Sequence, residues 1–347
     1  MAEIVPILAL RFDRSLLIDE QAQARSLFTQ WSGHVGVDPD PSFRLAQARL
    51  LRAEGDTKSS RKAAQQLLEE GLQPQDEAYV GACLLAGSQL PRHLLGAGGS
   101  QPFWVEMELQ RWQDLSPKPN RLVQRAEDLG DATYLACAWL VATESWLRLE
   151  QDEPFKSAWG RADELLRALP APRLFPRLEL LGVIGHFRAE RADEASRHLE
   201  RGRSTLSPDQ EVTSDRFKLW SALLHLDRGR LEDAQTAIAT LSGARQKSLL
   251  LGHWAGQAAL AWAEGDRTES RERLVRFAVA DDQLAVGSLS ALGFLLWLAD
   301  ATEAAQDLGS SEAALRAALR TAGRSGLTRT VAELDDRLRE LGTTGSF

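Results

Sequence analysis

Segments of helical length, each closed by a short polar turn and followed by a second such segment, recur along this chain. Helix, tight turn and helix form an αα-hairpin, and one such hairpin cannot bury its apolar face alone. The turn residues that serve as anchors are Gly55, Asp152, Glu190, Gly229, Gly265 and Gly309. The first interval is 97 residues, and the next four are 38, 39, 36 and 44 residues. A period close to 40 residues predicts a helical solenoid.

Three columns of residues support this register. Ten residues before the anchors the side chain is always apolar: Leu45, Ala142, Leu180, Leu219, Ala255 and Ala299. Seven residues before the anchors no side chain is large: Ala48, Ser145, Val183, Ala222, Ala258 and Thr302. Five residues after them every side chain is small: Ser60, Ser157, Ala195, Ala234, Ser270 and Ala314. Small residues let the two helices of a hairpin approach closely, and the apolar column indicates a buried stripe.

Composition points to helices throughout. All 13 prolines lie at or before Pro208, and the remaining 139 residues contain none. Proline breaks helix interiors, whereas the abundant Ala, Leu, Arg and Glu favour helices, and patterns typical of strands are nearly absent. The sequence therefore predicts an all-α fold.

Two short motifs carry a family resemblance. "GRLEDA" at 229–234 and "RADEA" at 191–195 combine a turn with an alanine early in the second helix, and Trp254 lies eleven residues before Gly265. These features resemble the tetratricopeptide repeat family. The resemblance implies a right-handed superhelical solenoid of antiparallel helix hairpins. The period exceeds the 34 residues of that family, and the longer repeat is similar to the sensor arrays of bacterial maltose-regulator-like proteins.

The domain organisation follows from the repeats. We expect an N-terminal segment and helix at 1–42, a first hairpin with degenerate or extra helices at 43–133, TPR-like repeats at 134–326, and a capping helix and tail at 327–347. Residues 72–133 contain three helix-like stretches, and their pairing stays open. The apolar run in "MAEIVPILALRF" is too short to span a bilayer. We interpret it as a short strand or an extended segment.

Charge and cysteine content exclude several classes of function. The formal net charge is −8 and the pI is about 5.4, which argues against direct nucleic-acid binding and against binding to an anionic membrane surface. Cys83 and Cys137 both lie in apolar helical runs, so no disulfide framework is predicted. These features predict a cytoplasmic protein without a membrane partner.

Catalytic and ligand-binding motifs are missing from the sequence. There is no GxxxxGK[ST], GxSxG or HExxH motif, and "GAGGS" at 96–100 reads as a flexible loop. His186 and His225 share a repeat position, with Glu190 as the nearest third ligand, but packed histidines are the preferred interpretation. The pairs Asp281 with Asp282 and Asp335 with Asp336 are interpreted as solvated faces or helix caps. No enzyme activity, cofactor or metal ion is predicted.

A candidate binding surface comes from the family resemblance. In tetratricopeptide repeat proteins the first helices line the concave surface, and residues six and three before the anchors are expected to face it. The predicted partner-binding residues are Arg49, Arg52, Trp146, Leu149, Ile184, Phe187, Leu223, Leu226 and Trp262. Both columns are polar in the outer repeats and apolar in the central ones. Either they form an apolar groove that receives a peptide or helix, or they are buried against each other.

The predicted function is a non-catalytic scaffold or adaptor that binds a partner protein or peptide on its solenoid surface. The alternative is a ligand-sensing or peptide-sensing regulatory array of a bacterial transcription or signalling system. The sequence indicates neither the partner nor the oligomeric state.

Overall fold

A computed structural model of the chain describes residues 4–17, 20–35, 39–54, 56–72, 77–86, 105, 107, 118–169, 172–208, 210–241 and 246–344. These residues contain 17 α-helices, one 3₁₀ turn and no strand. The helices are α1 (Ile4–Leu17), α2 (Gln21–Ser32), α3 (Pro41–Ala53), α4 (Thr57–Glu69), α5 (Glu77–Ala86), α6 (Pro119–Leu129), α7 (Ala132–Arg148), α8 (Asp152–Ala168), α9 (Phe175–Arg188), α10 (Ala192–Ser204), α11 (Glu211–Asp227), α12 (Leu231–Ala239), α13 (Lys247–Ala263), α14 (Arg267–Leu284), α15 (Leu289–Ala304), α16 (Leu308–Ser325) and α17 (Thr328–Thr344). None of the described helices is both long enough and apolar enough to cross a bilayer.

The chain forms two compact units. Unit 1 comprises Met1–Ser145 and Glu164–Leu174, and unit 2 comprises Trp146–Asp163 and Phe175–Phe347. Unit 2 contains four helix pairs that pack along their length, followed by α17. The pairs are α9 with α10, α11 with α12, α13 with α14, and α15 with α16. Antiparallel pairs joined by short turns are the architecture that the repeat pattern predicts.

The N-terminal run belongs to a helix and not to a strand. Leu8, Phe12 and Ser15 are buried, whereas Ile7 and Leu10 are exposed, so burial in α1 recurs every three to four residues. This spacing is helical, whereas a strand would alternate with a period of two. Phe12 packs beside Phe28 and Trp31 of α2, with ring centroids 5.9 and 6.1 Å apart. The interpretation as a strand or extended segment is therefore wrong. The segment forms a helix because its buried face packs against the aromatic side chains of α2.

The hairpin turns share one backbone geometry, which corrects two of the anchors. The left-handed residues of unit 2 hairpins are Glu150, Glu190, Gly229, Gly265 and Gln306, spaced 40, 39, 36 and 41 residues apart. In each turn the next N–H bonds to the carbonyl five residues earlier, which is a Schellman cap. The anchors Asp152 and Gly309 are therefore wrong by two and three residues. Glycine is the usual residue of such a turn, so the sequence did not mark Glu150 and Gln306 as turn residues.

The predicted columns are buried with one exception. All six members of the minus-ten column and all six of the minus-seven column are buried, as are five of the six in the plus-five column. Ser157 is exposed, because the true turn lies at Glu150 and Phe155 takes the fifth position after it. The residue at this position in the other repeats of unit 2 is small, Ala195, Ala234, Ser270 or Ser311. Gly185 of α9 makes room, since a Cβ there would overlap the Phe155 ring.

The interpretation of Asp281 as a solvated or capping residue is also wrong. Its side chain is fully buried and pairs with Arg324 and, at 3.5 Å, with Arg320. Only Asp282 lies on a solvated face. Because α14 and α16 pack against each other, two arginines of α16 reach a position that helical periodicity alone assigns to the surface.

Several predictions fall outside the described residues. They concern Gly55, the "GAGGS" stretch at 96–100, and all of the second helix-like stretch at 103–115 except residues 105 and 107. The other two stretches of residues 72–133 correspond to α5 and α6.

Candidate ligand-binding cavity in unit 2

A cavity of about 620 Å³ lies within unit 2. Its walls come from the end of α7, the start of α8, and parts of α9, α11, α15 and α17. Four of these, α7, α9, α11 and α15, are first helices of hairpins, so the cavity lies on the surface that the family resemblance assigns to ligands. Its size falls in the range of ordinary ligand pockets.

Aromatic side chains form a large share of the apolar part of the wall. Trp146, Phe187, Trp220 and Trp297 all line the cavity, and the rings of Phe187 and Trp220 meet edge to face with centroids 5.5 Å apart. Trp220 is 3% exposed, whereas the other three are only partly buried. Large aromatic side chains that remain open to a concave wall are typical of recognition sites.

A glycine in α15 brings that helix close to α11. A Cβ at Gly293 would lie 2.5 Å from Leu223 Cδ2 and 3.6 Å from the Trp220 ring. Any larger residue would have to displace the Leu223 methyl group, so glycine favours the close crossing of the two helices. The close approach places Trp220 of α11 and Trp297 of α15 in the same wall.

Glu150 joins the first turn of unit 2 to its last helix. Its side chain is 4% exposed and accepts hydrogen bonds from the backbone N–H groups of Arg329 at 2.7 Å and Thr330 at 3.2 Å. The Thr330 hydroxyl and the Arg188 guanidinium also donate to this carboxylate. Arg188 is held in turn by the Leu147 carbonyl at 3.2 Å. The cavity is thus closed on one side by a hydrogen-bonded contact between distant repeats.

Arg337 links α17 to α15 at another point of the wall. It contacts Asp300 and Glu303, each at 2.8 Å. Burial alone would lower the pKa of Arg337, but the hydrogen bonds to Glu303 and Asp300 raise it above its ordinary value. The guanidinium therefore stays charged and engaged with its own carboxylates.

Comparison with known proteins shows the fold. No family model matches the chain, and no curated protein matches it at the significance threshold applied. Solved structures do match. A Rap protein complexed with competence and sporulation factor has a TM-score of 0.59 at 12% identity over 99% of both chains. NprR in complex with its cognate peptide NprX has a TM-score of 0.58 at 14% identity over 91% of this chain and 88% of that one. The fold is a TPR-like helical repeat.

Three of the nine predicted binding residues line the cavity of this TPR-like unit: Trp146, Ile184 and Phe187. Leu223 and Leu226, at the same offsets in the next repeat, are 0% and 3% exposed and belong to the core. The sequence left groove and core open as alternatives for these columns. In the structure the residues at these two offsets line the cavity in one repeat and are packed inside in the next.

The other four predicted residues are not part of the cavity lining. Leu149 and Trp262 are half-buried and outside its lining, and Arg267 lies over the Trp262 ring at 5.3 Å. Arg49 and Arg52 belong to unit 1. Arg52 is exposed, whereas the Arg49 side chain is 9% exposed and paired with Asp13.

Trp220 and Trp297 were missed because the prediction considered only the columns six and three residues before the anchors. Both lie nine residues before a left-handed turn residue, Gly229 and Gln306 respectively. With Gly309 as the anchor the two tryptophans occupy different columns. The corrected turn position at Gln306 places the two tryptophans in one column.

The histidines do not form the shared site that was considered. His186 stacks on His198 of α10 with ring centroids 4.8 Å apart, and His198 bonds to the buried Glu179 at 2.7 Å. Burial, followed by the neighbouring His198, lowers the pKa of His186. Among the described residues no group of three His, Cys, Asp or Glu side chains is placed to hold a metal ion.

Proposed function

We propose that this chain is a non-catalytic, peptide-binding regulatory scaffold and that its ligand binds in the unit 2 cavity. The observation that carries the proposal is the group of partly open aromatic side chains, Trp146, Phe187 and Trp297, around one concave space. A folded soluble protein usually buries such side chains or uses them for recognition. A peptide that inserts apolar side chains among them would cover this surface.

The lining suits a peptide in two respects. Its apolar wall adjoins polar groups that can bond to a peptide backbone, among them the exposed Gln151. The described lining contains no histidine, cysteine, serine or lysine, and three of its six carboxylates are paired with arginines. Binding is therefore the better-supported role.

The structural comparisons support the same proposal. NprR is in complex with its cognate peptide, and the Rap protein with competence and sporulation factor. For this chain, peptide binding fits both functional hypotheses, namely an adaptor whose partner supplies a peptide segment and a sensing array that a free peptide controls. The free cysteines Cys83 and Cys137 are both buried, which fits a cytoplasmic location.

Affinity selection from a random heptapeptide library on the immobilised full-length chain tests the proposal. Selected peptides are then titrated against the Trp146→Ala and Trp297→Ala variants. We expect each variant to weaken binding by about tenfold or more, because aromatic anchors dominate such interfaces. Trp262→Ala is the matched control, since Trp262 is also a half-buried first-helix tryptophan but lies outside the lining.

The control variant should bind within about twofold of the wild type, and all variants should keep the helical circular dichroism and melting temperature of the parent. Failure to select any peptide would contradict the proposal. Equal losses for Trp262→Ala and the cavity variants would also contradict it, because the loss would then not arise from the cavity.

A further inference from the structure

The cavity wall carries more negative than positive charge. Its lining contains three guanidinium groups, those of Arg188, Arg329 and Arg337. It contains twice as many carboxylates, those of Glu150, Asp152, Glu190, Asp227, Asp300 and Glu333. A ligand that enters this space meets the negative charge of the carboxylates that no arginine of the lining neutralises.

Each guanidinium in the lining has its own carboxylate. Arg188 pairs with Glu150, Arg329 with Glu333 at 2.8 Å, and Arg337 with Asp300 at 2.8 Å. Since these cations are already engaged, an anionic ligand would have to compete with an existing pair for each of them. The wall therefore offers little to an acidic peptide.

The carboxylates outside these three pairs are Asp152, Glu190 and Asp227, and all three are exposed. Glu333 chiefly raises the pKa of Arg329, and the negative charge of Asp152 adds to this shift. Glu190 and Asp227 lie at the C-terminal ends of α9 and α11. The last carbonyl groups of a helix carry a partial negative charge. Helix ends and side chains thus add to a negative field at this edge of the cavity.

We propose that the cavity selects a basic amphipathic peptide. Apolar side chains of that peptide would lie against Trp146, Phe187 and Trp297, and a Lys, an Arg or a free amino terminus would lie toward Glu190 and Asp227. The inference rests on the proposed function. The aromatic cavity makes the site, and the charge of its edge decides which peptides enter it.

Three pools of capped hexapeptides test the charge preference. All carry two positions drawn from Leu, Ile and Phe, and they differ in two others, which are Lys or Arg, Ser or Gln, and Asp or Glu. Equilibrium dialysis against the full-length chain, read by mass spectrometry, compares their retention. We expect the basic pool to bind about fivefold or more tightly than the neutral pool, and the acidic pool most weakly.

Isosteric variants test whether Glu190 and Asp227 cause the preference for basic peptides. Glu190→Gln with Asp227→Asn should bring the basic pool to within about twofold of the neutral pool. Glu200→Gln with Glu232→Gln is the control, because these exposed carboxylates lie on second helices outside the lining. The control should retain the full preference, and added salt should reduce it.

The outcomes separate this inference from the proposed function. Equal binding of all pools, or tighter binding of the acidic one, overturns the charge inference while peptide binding stands. Loss of the preference in the control variant overturns it as well, because the selectivity would then come from the net charge of the whole protein. If no pool binds and no heptapeptide is selected, both proposals fail.

Discussion

The carboxylate of Glu150 accepts a hydrogen bond of 2.7 Å from the backbone N–H of Arg329, a residue 179 positions later in the chain. Arg329 and Thr330 lie at the second and third positions of α17, whose first N–H groups have no partner within the helix. The side chain that accepts these hydrogen bonds usually belongs to the residue just before the helix. Here the cap comes from the first turn of unit 2.

Removal of this carboxylate should release α17. We expect Glu150→Ala to lower the free energy of unfolding of unit 2 by about 2–5 kcal/mol, because Arg188 and two N–H groups lose a buried acceptor. Hydrogen exchange of residues 328–344 should show the effect directly. Glu190→Ala is the control, since Glu190 has the same left-handed backbone (φ 57° against 56°) but is exposed. It should cost less than about 0.5 kcal/mol. Equal exchange in both variants would refute the capping role.

Asp281 and Asp282 are neighbours that should respond very differently to mutation. Asp281→Ala leaves Arg324 and Arg320 without their buried partner, so we expect a loss of about 3–5 kcal/mol. Asp282 is an exposed partner of the same arginines, and Asp282→Ala should cost less than about 1 kcal/mol. Urea denaturation followed by circular dichroism measures both. Similar losses for the two variants would show that the buried pair has no special weight.

Phe155 and Gly185 should be energetically coupled. Gly185→Ala puts a Cβ into the Phe155 ring, and overpacking of this kind costs about 1–3 kcal/mol. In the next two repeats the residue corresponding to Phe155 is alanine, Ala195 and Ala234. Adding Phe155→Ala should therefore remove the clash, so that Gly185→Ala costs less in that background than in the wild type. Additive losses in the double-mutant cycle would contradict this coupling.

Acidification should weaken unit 2 through its histidines. Burial lowers the pKa values of His186, His225 and His253. The unfolded chain therefore binds protons at a higher pH than the folded chain, and stability falls as the pH drops through the unfolded value of about 6.5. Most carboxylates stay ionised between about pH 7.5 and 5.5, which isolates the histidine contribution.

The melting temperature should therefore fall between these two pH values, and the fall should be smaller in a variant with glutamine at all three positions. An unchanged pH dependence in that variant would assign the effect to other groups. A rise in melting temperature on acidification would contradict the sign of the shifts.

The helical repeat could be predicted from the sequence because its causes are local. Proline-free segments, small residues at Ala222 and Ala258, and glycine at Gly229 and Gly265 act within one hairpin. They determine where helices begin, end and cross. The period, the all-α class and the TPR-like fold follow from them, and the structure bears out these predictions.

The cavity could be predicted only in part, since its members meet across repeats. Ile184 and Leu223 share one column and are both buried, yet only Ile184 lines the cavity. The turns at Glu150 and Gln306 carry no glycine, so the register of two repeats was misjudged. Trp220 and Trp297 lie nine residues before their turns, in a column that the prediction did not consider. Similarly, no local pattern marks Glu150 as the cap of α17.

The sequence by itself therefore determined the repeating unit, because small and apolar residues at helical spacing act within one hairpin. Tertiary structure decided which side chains form the cavity wall and which close the cavity on one side. These roles depend on contacts such as Glu150 with Arg329 and Gly293 with Leu223, and such contacts form only when separate hairpins pack together.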